Sequence, residues 1–232
     1  MKPEGIQRPK ILIIGNKPFV NLPLDSVVDH FEENCRCNIS VPFKNNGTKF
    51  HFLYLCCHLY ERLVQKSYSK DSFLNDSAYL PHYKQDYMAS FYDAWTQYAP
   101  ANIKHGNNRG IRFNAILQEL GCPFTFSKLP RTGYVAIFDF LSKGYEVFVS
   151  HFSIMQEDRV SYYVKEGKYE SDCHSKREEL LILEWLHKNN HIDASLCLLE
   201  DKAHPVPVKS DLRISSYINK LLTTHFNSVI MT

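Results

Sequence analysis

No stretch of this 232-residue chain approaches the roughly 20 uncharged apolar residues that a membrane helix needs. The opening Met-Lys-Pro-Glu-Gly-Ile-Gln-Arg-Pro-Lys lacks the apolar core of a signal peptide, and Ile11 to Ile14 is only four residues long. Neither sign of charge prevails: 27 Lys and Arg face 25 Asp and Glu, a formal net charge of +2. A nucleic-acid binder usually carries a concentrated basic stripe, so no nucleic-acid partner is expected. A disulfide framework is also missing, since the seven cysteines are odd in number and follow no framework spacing. Cys35-Arg36-Cys37 and Cys56-Cys57 are too tightly spaced for a common zinc pattern. Reduced thiols in a reducing compartment follow. A cytoplasmic location is expected, and peripheral contact with a membrane is compatible with it. With neither internal repeats nor linkers, residues 1–232 are expected to form a single domain.

What is present is a well-patterned globular chain, 44% hydrophobic and 13% aromatic, which excludes general disorder. Lys10 to Ile14 followed by Gly15-Asn16 reads as a central strand buried on both faces and stopped by a turn. Val27 to Phe31 reads as a short helix, Cys35 to Ile39 as a second strand, and Phe50 to Cys56 as a third after the Asn45-Asn46-Gly47 turn. Gly110 to Leu120 suits a helix ended by Gly121, and Pro123 to Ser127 a short strand. An apolar helix opens at Pro130-Arg131-Thr132-Gly133, and Tyr145 to Val149 returns as a strand. Ser175 and Glu178 have the spacing of a capping box before a helix rich in Leu, from Glu179 to about His187. A terminal helix is expected over 211–222. The alternation predicts an α/β fold, a Rossmann-like, doubly wound and mostly parallel sheet flanked by helices. Between 60 and 110 the pattern weakens, but Tyr79, Tyr83, Tyr87, Phe91 and Trp95 recur every four residues.

Four short constellations carry candidate chemistry. Gly15-Asn16 ends a strand, where ligands of doubly wound sheets sit, and the glycine permits close approach to the backbone. It is not the Gly-rich dinucleotide fingerprint, and a plain turn reads equally well. Asn38 ends the second predicted strand and offers an amide donor and acceptor without charge. Thr132-Gly133 at a helix start offers a hydroxyl and free N–H groups to a phosphate, or is an ordinary helix start. His174 precedes the capped helix, whose positive end favours a neutral imidazole able to accept a proton. A structural histidine is the alternative, with Glu179 orienting either the ring or the helix entry.

Taken in order, these pieces resemble the sialylmotifs of the animal-type sialyltransferases, glycosyltransferase family 29. Gly15-Asn16, Val28-Asp29-His30-Phe31 and Arg36-Cys37-Asn38 match the long motif. Pro130-Arg131-Thr132-Gly133 through Val147-Phe148-Val149 match the short motif, Ser161-Tyr162-Tyr163-Val164 the third, and His174 with Glu179 the very short one. The resemblance implies an inverting, metal-independent glycosyltransferase with no cofactor, using a CMP-sugar as donor substrate. CMP-sialic acid and CMP-Kdo are both compatible donors, and an oligosaccharide or glycolipid hydroxyl is the acceptor. Gly15, Asn16 and Asn38 would hold CMP, Thr132 and Gly133 the ribose or phosphate, and Tyr162 and Tyr163 the leaving phosphate. His174 would be the catalytic base, with Arg131 and Glu179 supporting it and no metal ligand. The unmatched 60–110 region would be an acceptor-side insertion, its aromatic row a wall for saccharide or simply core. Ser161 and Val164 stand where the third motif has a His and an acid, and His151-Phe152 where a Gly-Phe is usual. These departures, with no counterpart to the animal disulfide pair or membrane anchor, imply a bacterial or viral relative. A non-catalytic nucleotide-binding module, a degenerate transferase, is the alternative.

Overall fold

The computed structural model describes residues 8–15, 17, 24–37, 47, 51–54, 113–152, 154, 174–202 and 211–230. Asn16, Asn38, Tyr162, Tyr163 and the whole of the 60–110 region fall outside the described residues. The elements are β1 (Lys10–Ile14), α1 (Asp25–Val28), β2 (Glu33–Cys37), β3 (Phe52–Tyr54), α2 (Phe113–Glu119), α3 (Thr132–Ser142), β4 (Glu146–Ser150), α4 (Lys176–Lys188), α5 (Ser195–Lys202) and α6 (Ser216–Ile230).

The four described strands form one parallel sheet in the order β3-β2-β1-β4. Ile14 of β1 lies opposite Arg36 on one side and Ser150 on the other. Four consecutive apolar residues place β1 at the centre because only a strand covered on both faces can bury them all. Ile11 through Ile14 are each 0% exposed, and each such side chain contributes roughly 1.5–3 kcal/mol by leaving water. Ile11 and Ile13 pack with Ala136, Ile137 and Phe138 of α3 and Ile182 and Leu186 of α4. Leu12 and Ile14 face the other way, onto Val27 and Val28 of α1 and Ile218 and Leu221 of α6. Helices on both faces make the sheet doubly wound. The strand order reverses between β1 and β4, which places the topological switch point at their carboxyl ends.

α3 is buried over nine consecutive residues, Thr132 to Phe140, because it lies across all four strands and under α2. Its Asp139 carboxylate accepts the Tyr54 hydroxyl of edge strand β3 and the Lys143 ammonium at 2.5 Å. Burial, followed by nearby negative groups, pushes the Tyr54 phenol well above its ordinary value. No described helix is long and apolar enough to cross a membrane.

Several expected boundaries move, each for a local reason. The strand expected over 123–127 is irregular chain: the Asn114 side chain accepts from Phe126 N (2.8 Å) and donates to its carbonyl (2.9 Å). One amide thus takes the place of a strand neighbour. The final helix starts at Ser216, later than expected, because the Ser215 hydroxyl accepts from Ile218 N and acts as its cap. α5 was not expected at all. It follows Asp193, which bridges in parallel to Phe148 and accepts the Ser195 N–H on its side chain.

The end of α4 supplies a pH prediction. His191 stacks on Trp185 with ring centroids 5.1 Å apart, and burial lowers its pKa. The unfolded chain therefore binds this proton first, so stability falls as pH drops through the ordinary histidine value of about 6.5. Urea midpoints measured between neutral and mildly acidic pH should decline less for His191→Gln than for the wild type. Parallel declines in the two proteins would remove this residue from the effect.

Candidate active site

The switch point gathers three of the expected residues. Gly15 leaves β1 fully covered, its N–H donating to Ser150 O at 2.9 Å. A Cβ on Gly15 would stand 2.2 Å from the His151 carbonyl oxygen and 3.0 Å from the Phe152 ring. A Cβ on Gly133 would stand 2.5 Å from the same ring and 3.8 Å from Cys37 Sγ. The ends of β1, β2 and β4 and the first turn of α3 therefore meet around Phe152, with Thr132 buried beside it. Both glycines are needed by this close packing of chain on chain. α3 begins at the same meeting point, at Thr132 and Gly133.

His174 immediately precedes Ser175, the first residue outside α4. Ser175 caps α4, accepting the Glu178 N–H at 3.4 Å as the capping-box spacing predicts. The Glu178 carboxylate also accepts the Ser127 hydroxyl at 2.6 Å and the Ser127 N–H at 2.9 Å. Those bonds, the hydroxyl first, hold its pKa below the ordinary carboxylate value. Two residues beyond Ser127, the Leu129 carbonyl lies 2.6 Å from His174 Nδ1. A carbonyl can only accept, so Nδ1 is the nitrogen that donates, and Nε2 is the one that can offer a lone pair.

Glu179 does not orient the histidine. Its fully buried carboxylate accepts the Arg131 backbone N–H at 2.7 Å and also the Arg131 Nε, while 45% of the Arg131 side chain stays exposed. Ser127, Leu129 and Arg131 are thus bound in sequence by Glu178, His174 and Glu179. This clasp ties the start of α4 to the turn that leads into Thr132-Gly133. Leu129 and Pro130 also line a cavity of about 360 Å³ with Phe113 and Phe126.

Two features of the site were not expected. The Leu129 carbonyl is a backbone group and carries no residue-type signal. His151 and Phe152 stood out only as a departure from a motif, although their place directly after β4 at the switch point was a usable clue. Among the described residues no three His, Cys, Asp or Glu side chains cluster as a metal site would require.

No protein-family model and no curated protein matches the sequence. Solved structures do. The sialyltransferase CstII from Campylobacter jejuni in complex with the substrate analogue cytidine-5'-monophosphate matches at a TM-score of 0.52 and 17% identity. That match covers 94% of this chain and 99% of the other. The same enzyme with CMP-3FNeuAc matches at a TM-score of 0.50 and 17% identity, over 90% and 89% of the two chains. At such identity the likeness is one of fold. It overturns the resemblance to the animal-type family 29, because CstII belongs to glycosyltransferase family 42. The physical reason is that motifs of two to four residues record local needs: a glycine where chains touch, a capped helix start, a polar residue at a strand end. Unrelated families that place a ligand at a switch point meet the same needs.

Proposed function

We propose that this chain is an inverting glycosyltransferase that moves sialic acid, or a related acid sugar such as Kdo, from a CMP donor to a glycan hydroxyl. The observation that carries this reading is the fold likeness to a sialyltransferase over nearly the whole of both chains. The local geometry supports it, since the Leu129 carbonyl holding His174 lies three residues before Thr132. In this reading CMP lies at the switch point, held by Gly15, Asn16 and Asn38, with Thr132 and Gly133 on the ribose or phosphate. Tyr162 and Tyr163 steady the leaving phosphate. His174 Nε2 takes the proton of the acceptor hydroxyl as its oxygen bonds to the anomeric carbon. The electron pair of the breaking sugar–phosphate bond leaves with CMP, and one displacement inverts the centre. Arg131 and Glu179 hold the turn between the two halves of the site. Residues 1–232 act as one domain, with 60–110 on the acceptor side.

Thermal shift against CMP, UDP, GDP and NAD tests the donor class. CMP at about a hundred times its Kd should add ~2.7 kcal/mol of stability, a rise of roughly 5–10 °C for a chain of this size. Incubation with CMP-sialic acid or CMP-Kdo should then release CMP. A response to another nucleotide alone defeats the proposal. Binding of CMP without its release from either donor identifies a non-catalytic module instead.

A further inference from the structure

His151 follows β4 directly, is 1% exposed, and has φ of 61°. That left-handed conformation suits glycine, costs residues that carry a Cβ, and is most acceptable to Asn, Asp and His among them. The reward is visible in the hydrogen bonds. Successive carbonyls of a strand point to opposite neighbours, yet Ser150 O accepts from Gly15 N at 2.9 Å and His151 O from Lys17 N at 3.0 Å. Two consecutive carbonyls serve the same stretch of chain because the backbone turns over at His151. The chain on both sides of Asn16 is thereby bound to the end of β4. The same turn delivers the Phe152 ring between Gly15 and Gly133, edge-on to Tyr134 at 5.9 Å between centroids.

We infer that His151 is a positioning residue: its left-handed backbone fixes Gly15 and Lys17 against β4 and sets the separation of Gly15 from the start of α3. The consequence for donor binding rests on the CMP reading above. The backbone part of the claim does not. A β-branched residue at 151 resists positive φ most strongly, so His151→Val should release Lys17 from β4, with His151→Ala as the milder variant. His151→Gly and His151→Asn accept the conformation and should rescue it.

Two measurements on the full chain decide the matter. CMP affinity by calorimetry should fall about tenfold or more in His151→Val, less in His151→Ala, and stay within about threefold in the Gly and Asn variants. Amide exchange by NMR should show Lys17 N–H losing protection in the Val and Ala variants and keeping it in Gly and Asn. Wild-type affinity together with a protected Lys17 amide in His151→Ala would overturn the inference. So would a loss in His151→Gly as large as in His151→Val, because the ring would then be the acting group. If the wild-type chain binds no CMP, the donor reading fails alone, and Lys17 exchange still decides the role of His151.

Discussion

Replacing His174 by Asn should cut sugar transfer by about 10²- to 10⁴-fold, the usual contribution of a general base, with little change in CMP affinity. The choice of Asn follows from the ring geometry. Nδ1 is held by the Leu129 carbonyl at 2.6 Å, and the Asn amide nitrogen occupies nearly the place of Nδ1. His174→Asn therefore keeps the tether that shapes the turn before Thr132 and removes only the Nε2 lone pair. His174→Ala removes both. It should show the same loss of transfer, with some added loss of CMP affinity as the 127–131 turn loosens. Steady-state turnover read beside calorimetric CMP binding separates the two effects. Near-normal turnover in the Asn variant would exclude His174 as the base. Equal collapse of turnover and CMP binding in that variant would make it a structural residue.

Replacing Gly15 by Ala should destabilise the chain by about 3 kcal/mol or more, at the upper end of overpacking effects. The added methyl would stand 2.2 Å from the His151 carbonyl oxygen and 2.9 Å from its carbon. A flexible side chain can swing away from such a clash, but this neighbour is backbone, bound at its oxygen to Lys17 N–H. Relief requires β1 and β4 to part at their ends, which breaks hydrogen bonds on both sides of Asn16. Any CMP affinity should fall with it. Gly121→Ala is the contrast. Gly121 has φ of +79° and nothing within 4 Å of an added Cβ, so its cost is the backbone penalty alone, about 1 kcal/mol. Urea denaturation of the two variants gives the comparison directly. A Gly15→Ala chain as stable as Gly121→Ala would show that the strands do not approach this closely.

Where local chemistry alone decides structure, the sequence was legible. Ile11 to Ile14 admitted no place but the centre of a covered sheet, the Ser175 and Glu178 spacing located the start of α4, and Gly121 stopped α2. The alternating elements predicted the doubly wound α/β fold, whereas the switch point needed the observed strand order. Boundaries were missed where a side chain from elsewhere took over backbone hydrogen bonding. Asn114 did so for the stretch expected as a strand, and Ser215 for the final helix. The family reading failed for a related reason, since short motifs report local conformational needs that different families share.

What the chain order settled by itself was therefore most of the elements, the buried faces of β1 and the residue types available near the strand ends. Only the folded chain decided that His174 answers to a carbonyl of another segment and Glu179 to Arg131. It alone turned His151 left-handed and set Phe152 between two glycines. These are contacts between residues 19 to 137 positions apart, or with backbone atoms that every residue carries. Local preferences cannot encode them, because their energy exists only once the sheet and its helices have closed.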